Sequence, residues 1–162
     1  GIALGLAIAI YAVFFAESPE DEVRAQLDRL EDAIRVEPAT NQVVRAARLK
    51  GEFQELFIKE VSFDIPELDG GDEEGRTDLI RLAAAAPRYF ERARVDLDGL
   101  TVVIGDDEES ALAYGDAIIV GAQHGSGVER DTRQVSLRFD LVEGTWHIVS
   151  VSVSPSGGAP NP

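Results

Sequence analysis

Residues 1–16 carry no charge, and beyond them the chain settles first into a helical and then into a strand rhythm. From Ser18 onward Val23, Leu27, Leu30 and Ile34 recur at spacings of four, three and four, the apolar seam of an amphipathic helix. Ser18 stands where a cap is wanted, Pro19 suits the first helical position, and Glu20, Asp21 and Glu22 suit the positive end of the helix dipole. Pro38 predicts the end of that helix. A second helix is predicted from about Asn41 to Phe57, with Val43, Val44, Ala47, Phe53, Leu56 and Phe57 turned inward. Gly51 weakens it by about 1 kcal/mol relative to alanine.

The period then changes. Val61, Phe63 and Ile65 alternate with Ser62 and Asp64, which predicts a short strand closed by Pro66. An acidic loop follows, and Thr77 is placed to cap a short helix from Asp78 to Ala86. After Pro87 four long strands are predicted, at 92–105, 110–123, 132–142 and 145–153. Glu143-Gly144 reads as a two-residue hairpin turn, which sets Leu141 opposite Trp146, Phe139 opposite Ile148 and Asp140 opposite His147. Antiparallel strands that bury one face need a cover, and the three helices supply it. The fold class is therefore α+β, three helices on a curved, mostly antiparallel sheet. Residues 17–155 form the domain and 156–162, rich in Gly and Pro, a disordered tail.

The uncharged start changes the picture. Sixteen helical residues rise about 24 Å against a hydrocarbon core of roughly 30 Å. The chain has no methionine, so we expect residues 1–16 to be an amino-terminal transmembrane helix truncated at its start. A cut after Ala16 would put Phe14, and a cut after Ala12 would put Ile10, where the small-x-small rule of a signal peptide wants a small residue, so neither fits. Gly1, Gly5, Ala9 and Ala12 make a small-residue stripe suited to close helix packing in lipid, although an alanine-rich membrane helix contains such residues by default. The expected topology is single-pass in a bacterial cytoplasmic membrane, with the amino terminus inside and the domain outside.

Charge and composition exclude several functions. Thirty acidic residues against 15 basic ones give a formal charge of −15, which disfavours nucleic acid. No cysteine and only His124 and His147 leave little for a metal site, and the acidic runs around 69–75 and 105–110 lack the ligand order of an EF-hand. No metal and no cofactor are expected. Arg88, Arg92 and Arg94 form a basic cluster that we expect to neutralise neighbouring carboxylates. His124 falls in a Gly-rich turn, as an exposed loop residue.

The element order, together with Gly144, Trp146, Ile148 and Val151 in the closing "LVEGTWHIVSVSVSP", resembles the nuclear transport factor 2-like superfamily, the cone fold of SnoaL-type cyclases and ketosteroid isomerase. The resemblance spans roughly Ser18 to Pro155. It implies a cone of helices on a curved sheet, and a possible homodimer through that sheet. A span followed by such a domain is also the architecture of the VirB-type periplasmic subunit of type IV secretion systems. In enzymes of the superfamily, Asp, His or Tyr side chains project into the cone. The candidates here are Asp64, Tyr89, Tyr114 and Asp116, of which Tyr114 and Asp116 share a strand face with Leu112, Ile118 and Val120. None maps onto a family catalytic residue. The expected function is a membrane-anchored, non-catalytic interaction or assembly subunit, touching lipid through residues 1–16 and a protein partner or second copy through the domain. Arg138, Asp140, His147 and Val149, on the outer face of the last hairpin, are the interface candidates. The alternative is a small-molecule lyase or isomerase, or an apolar-ligand binder, using the cone's interior.

Overall fold

The computed structural model describes residues 3, 5–7, 18–68 and 75–155. Helix α1, Pro19–Ile34, opens with the Ser18 side chain accepting a hydrogen bond from the Asp21 N–H at 3.2 Å, and buries Val23, Leu27, Leu30 and Ala33. It stops four residues before Pro38. Val36 is drawn into a two-bond antiparallel bridge with Ala93, at 2.8 and 3.0 Å, and an extended residue cannot continue a helix.

Helix α2, Gln42–Leu56, is capped by Asn41, whose side-chain oxygen accepts from the N–H groups of Val43 and Val44. Its buried seam is Arg45, Leu49, Phe53 and Leu56, so the predicted inward face holds for Phe53, Leu56 and Phe57 and is corrected for Val43, Val44 and Ala47. Val43 and Val44 are 79% and 63% exposed, and Ala47 is exposed as well. Arg45 decides the rotation. Its guanidinium is buried without a carboxylate partner among the described residues and donates to the carbonyl oxygens of Ile34 at 3.1 Å, Arg35 at 3.2 Å and Ala83 at 2.9 Å. These carbonyls belong to the negative ends of two other helices, which is where a cation is favoured.

Strand β1, Phe57–Asp64, leaves α2 without a loop. Helix α3, Gly75–Ala85, starts before Thr77, which lies in its first turn rather than capping it. The long strand predicted at 92–105 is two strands, β2 (Phe90–Asp96) and β3 (Thr101–Ile104). Between them Leu97 and Leu100 dip into the core, a burial that a straight strand would not allow. Strands β4 (Ser110–Gln123), β5 (Val128–Val142) and β6 (Thr145–Val153) complete a six-stranded mixed sheet in the order β1-β6-β5-β4-β2. β3 also pairs with β4, and β1 runs parallel to β6.

Glu143 and Gly144 have φ of 52° and 80°, as a two-residue primed turn requires, and the three cross-strand pairs expected for this hairpin all form. Beyond them a bulge opens between Arg138 and Phe139. Val149 is the residue left over, half-buried and without a register partner, and the phase of β6 reverses after it. Ser150 then pairs with Arg138 on one face and Val151 with Leu137 on the other, so Val149 does not continue the outer row with His147.

The core lies between the helices and one face of the sheet, where Val23, Leu49, Leu56, Val61, Phe139 and Ile148 are fully buried. Trp146 locks the two layers together. Its indole N–H donates to Glu22 Oε2 at 3.0 Å, and its carbonyl accepts from Gln26 Nε2 at 2.7 Å. No helix among the described residues is long and apolar enough to cross a membrane. Of the expected packing stripe, Gly5 is described and helical, and a Cβ added there would meet nothing within 4 Å among the described residues, while Gly1, Ala9 and Ala12 lie outside the described residues, as do 156–162.

Replacing Arg45 with methionine is expected to cost about 2–4 kcal/mol, because three carbonyl groups lose their donor in a buried site. Lysine should not restore it, since one ammonium cannot span three separated acceptors. Urea unfolding measures both, and a loss below about 1 kcal/mol would show that water satisfies these carbonyls.

Candidate functional site

Strand alternation divides the sheet into an inner face, covered by the helices, and an outer face that no described element covers. On the inner face β5 presents Phe139, Leu137, Val135, Arg133, Asp131 and Glu129, grading from apolar to charged. β4 presents Ala111, Ala113, Gly115, Ala117, Ile119 and Gly121. The small residues leave room for the β2–β3 connection. Gly115, with φ of 138°, lies under Leu100, and a Cβ added there would stand 3.5 Å from Leu100 Cδ2. Where the inner face turns polar, Arg133 fills the space. It bonds Glu67 Oε1 at 2.6 Å, Asp131 Oδ2 at 2.8 Å and the carbonyl of Ser154 at 3.1 Å.

The candidate catalytic residues do not converge on this interior. Tyr89 is 65% exposed at the start of β2, and Asp64 is exposed on the edge strand β1. Tyr114 and Asp116 share a face as expected, and it is the outer one. Three strand spacings, about 14 Å, separate Asp64 from Tyr114. His124 is exposed and its Nε2 lies 2.9 Å from the Pro87 carbonyl.

The outer face has its own order. Cross-strand rows run Arg94–Val120–Arg130 and Arg92–Ala122–Val128 at one end. Asp96–Ile118–Thr132 and Tyr114–Ser136 occupy the middle. Leu112–Arg138 and Ser110–Asp140–His147 lie at the other end, beside the β3–β4 turn that carries Asp106, Asp107, Glu108 and Glu109. Four of the most exposed large apolar residues, Val103, Tyr114, Val128 and Val142, stand on this face. Among the described residues no carboxylate lies within ion-pair distance of Arg92, Arg94 or Arg130. The expectation that Arg88, Arg92 and Arg94 neutralise neighbouring carboxylates is therefore corrected for Arg92 and Arg94. Each end holds a shallow groove. One of about 680 Å3 is lined by Arg35, Arg92, Arg94, Val120 and Val128, and one of about 390 Å3 by Val103, Leu112, Arg138 and Asp140.

Interface candidates Arg138, Asp140 and His147 lie on this face, Arg138 and Asp140 exposed. The His147 Nδ1 is buried and has no hydrogen-bond partner among the described residues. Sequence reasoning missed Arg130. The alternation of "VERDTRQVSLRFD" extended four residues upstream of Thr132 would have placed it, with Val128, on the face of Arg138.

Elsewhere the carboxylates of Asp28, Glu31 and Asp98 lie within 4.8 Å of one another. Burial raises Glu31 above the usual carboxylate range, and Asp98, Asp28 and Asp96 add repulsion, while the Leu97 N–H at 2.7 Å works against the shift. Glu67 moves the other way, held low by its hydrogen bond from Arg133.

No protein-family model and no curated protein sequence matches the chain. Solved structures do. A nuclear transport factor 2-like superfamily protein from Salmonella enterica superposes with a TM-score of 0.66 at 16% identity, over 89% of this chain and 96% of that one. The CaMKII hub of S. rosetta gives 0.66 at 12% identity, over 85% and 97%. A type 2 hexachlorocyclohexane dehydrochlorinase gives 0.65 at 10% identity, over 84% and 83%. The chain thus has the nuclear transport factor 2-like fold, the α+β cone with a six-stranded mixed sheet.

The two carboxylates predict opposite pH effects. A raised folded-state pKa means that ionising Glu31 costs stability as pH rises above about 4, so Glu31→Gln should raise the melting temperature at pH 7 and converge with the parent in acid. A depressed folded-state pKa means that Glu67 contributes stability above about pH 4 and loses it as pH falls through its lowered value. Glu67→Gln should therefore lower the melting temperature at pH 7 and converge at the acid end. Melting curves from pH 3 to 8 read both signs.

Proposed function

We propose that this protein is a non-catalytic interaction or assembly subunit, tethered to a membrane by residues 1–16, and that the outer face of the sheet is its contact surface. The observation that carries the reading is the contrast between the two faces. The inner face is filled by Phe53, Leu137, Phe139, Trp146 and Ile148, all at most 3% exposed, whereas Val103, Tyr114, Val128 and Val142 stand bare on the outer one. A ligand site needs a concave apolar space with convergent polar groups, and the four candidate residues Asp64, Tyr89, Tyr114 and Asp116 stand apart from the interior. Apolar side chains spread over an uncovered sheet suit protein contact instead. Tethering raises the effective concentration of such a face toward neighbours in the same membrane.

The chain extracted in mild detergent from its native membrane is expected to come out with a stoichiometric protein partner, a second copy included. The double variant Leu112→Glu, Tyr114→Glu should lose that partner while melting at the parental temperature. A lone chain carrying a small apolar molecule would sink the proposal in favour of a lyase, isomerase or carrier. A chain that stays in the membrane pellet without residues 1–16 would remove the tether.

A further inference from the structure

We infer that the arginine end of the outer face is a binding site for a phosphate monoester with an apolar body, held by Arg92, Arg94 and Arg130 with Arg35 at the flank. The site lies at the β2 edge of the sheet and does not depend on the contact surface proposed above.

The pairing of Val36 with Ala93 adds one short step to the sheet beyond β2. In that antiparallel register the neighbours of Val36 fall opposite the neighbours of Ala93, so Arg35 stands against Arg94 and Glu37 against Arg92. One row of the outer face therefore reads Arg35–Arg94–Val120–Arg130, and the next reads Glu37–Arg92–Ala122–Val128. Strand spacing and rise put the backbones of Arg35, Arg92 and Arg130 about 5, 7 and 10 Å from that of Arg94. All four arginines are exposed, and their stems are long enough for the guanidiniums to meet over Val120.

These charges are not balanced on the spot. The chain has 30 acidic residues against 15 basic ones, yet the carboxylates nearest this cluster are directed elsewhere. Glu129 and Asp131, on either side of Arg130, stand on the inner face, where Asp131 pairs with Arg133 at 2.8 Å. Asp96, one row beyond Arg94, accepts the Asp98 N–H at 2.9 Å. Glu37 turns to Arg35 at 3.8 Å, and Asp32 lies 3.7 Å from the same guanidinium. Arg92, Arg94 and Arg130 engage no carboxylate among the described residues. Like charges set directly opposite each other on a sheet are destabilising, so Arg35 against Arg94 is a cost that a bound anion removes.

The number of arginines selects the anion. A carboxylate has two oxygens and satisfies one guanidinium fork, whereas a phosphate monoester carries nearly two charges on three terminal oxygens and takes forks from several arginines at once. Beside the arginines the groove is lined by Val120, Val128 and Pro38, and its volume of about 680 Å3 is that of a small-molecule site. The apolar lining accommodates an aliphatic or aromatic body while the arginines hold its phosphate. Helix α1, with 16 residues, separates this end of the domain from Ser18 by about 24 Å. The groove thus opens away from a bilayer that holds residues 1–16, which favours a soluble ester over a lipid headgroup as the source of the phosphate.

Calorimetric titration of the full-length chain in mild detergent with phenyl phosphate, at low ionic strength, reads the site. Binding is expected to saturate and to be about five-fold tighter than binding of benzoate, which keeps the ring and replaces the phosphate by a carboxylate. Arg92→Gln, Arg94→Gln and Arg130→Gln should each weaken it about ten-fold, through loss of a charge-assisted contact. Arg94→Lys keeps the charge but not the fork, and should weaken it about three-fold. Glu37→Gln removes a carboxylate from the rim and should tighten binding about two-fold. Arg138→Gln, on the same face but outside the site, should bind as the parent does. All these residues are exposed, so unchanged melting curves show that the fold is intact. Absence of saturation at about 10 mM phenyl phosphate, beyond even millimolar affinity, together with no binding of phosphatidic acid in mixed micelles, overturns the inference. An Arg94→Lys variant that binds like the parent, or benzoate bound as tightly as the ester, overturns it too, because a diffuse positive field then accounts for the binding. Binding of phosphatidic acid alone, lost in Arg94→Gln, overturns the soluble source and keeps the phosphate site. Leu112→Glu, Tyr114→Glu should release the protein partner and retain the ester, so the two readings fail separately.

Discussion

A buried guanidinium with no carboxylate in ion-pair distance among the described residues holds the helix layer in place. Arg45 directs its donors to the carbonyl ends of α1 and α3, groups that have no partner within their own helices. Burial lowers its pKa from the ordinary arginine value, with Arg48 adding repulsion, yet guanidinium begins so high that it keeps its charge at physiological pH. Three helices are thereby fixed relative to one another at one point. The opposite side of α1 is fixed through Glu22 and Gln26 on Trp146, so the layer is pinned to the sheet as well.

That pinning makes the sheet one-sided. Once the helices cover the inner face, every even-numbered position of β4 and β5 from Ser110 to Val142 faces outward, and its chemistry is released from the core. The polar end of the inner face is closed by Arg133 with Glu67 and Asp131, so even the charged part of the interior is satisfied within the chain. The outer face keeps exposed valines, a tyrosine and arginines that have no carboxylate within ion-pair distance among the described residues. The contact surface proposed above rests on this asymmetry more than on any single residue.

Much of the architecture was legible in local patterns. The Ser18 cap, the Asn41 start and the Glu143-Gly144 turn act over three or four residues, and they formed as read. The failures share a cause. The inward face of α2 was misjudged because a valine pair looks more buriable than an arginine, and only the carbonyl ends of two other helices make Arg45 the better core residue. The single strand from 92 to 105 broke in two because Leu97 and Leu100 both turn into the core, Leu100 over Gly115, which a linear pattern does not display. Val149 lost its place in the outer row to a bulge, which one unpaired residue creates and no alternation announces. The same holds for the site. Tyr114 and Asp116 were correctly put on one face, but which side of the sheet that face looks toward depends on where the helices dock.

The chain by itself determined the class of fold, the order of its main elements, the register of the final hairpin next to its turn and the net charge, because propensity, capping and period two are local properties and composition needs no structure. The tertiary structure decided which face of the sheet is dry, where the arginines gather and which end of that face is acidic. These depend on residues up to 33 positions apart coming into register, and such distances carry no signal in a run of neighbouring residues. Arg94 and Arg130 are 36 positions apart in the chain and occupy one row of the sheet only because both pair with Val120.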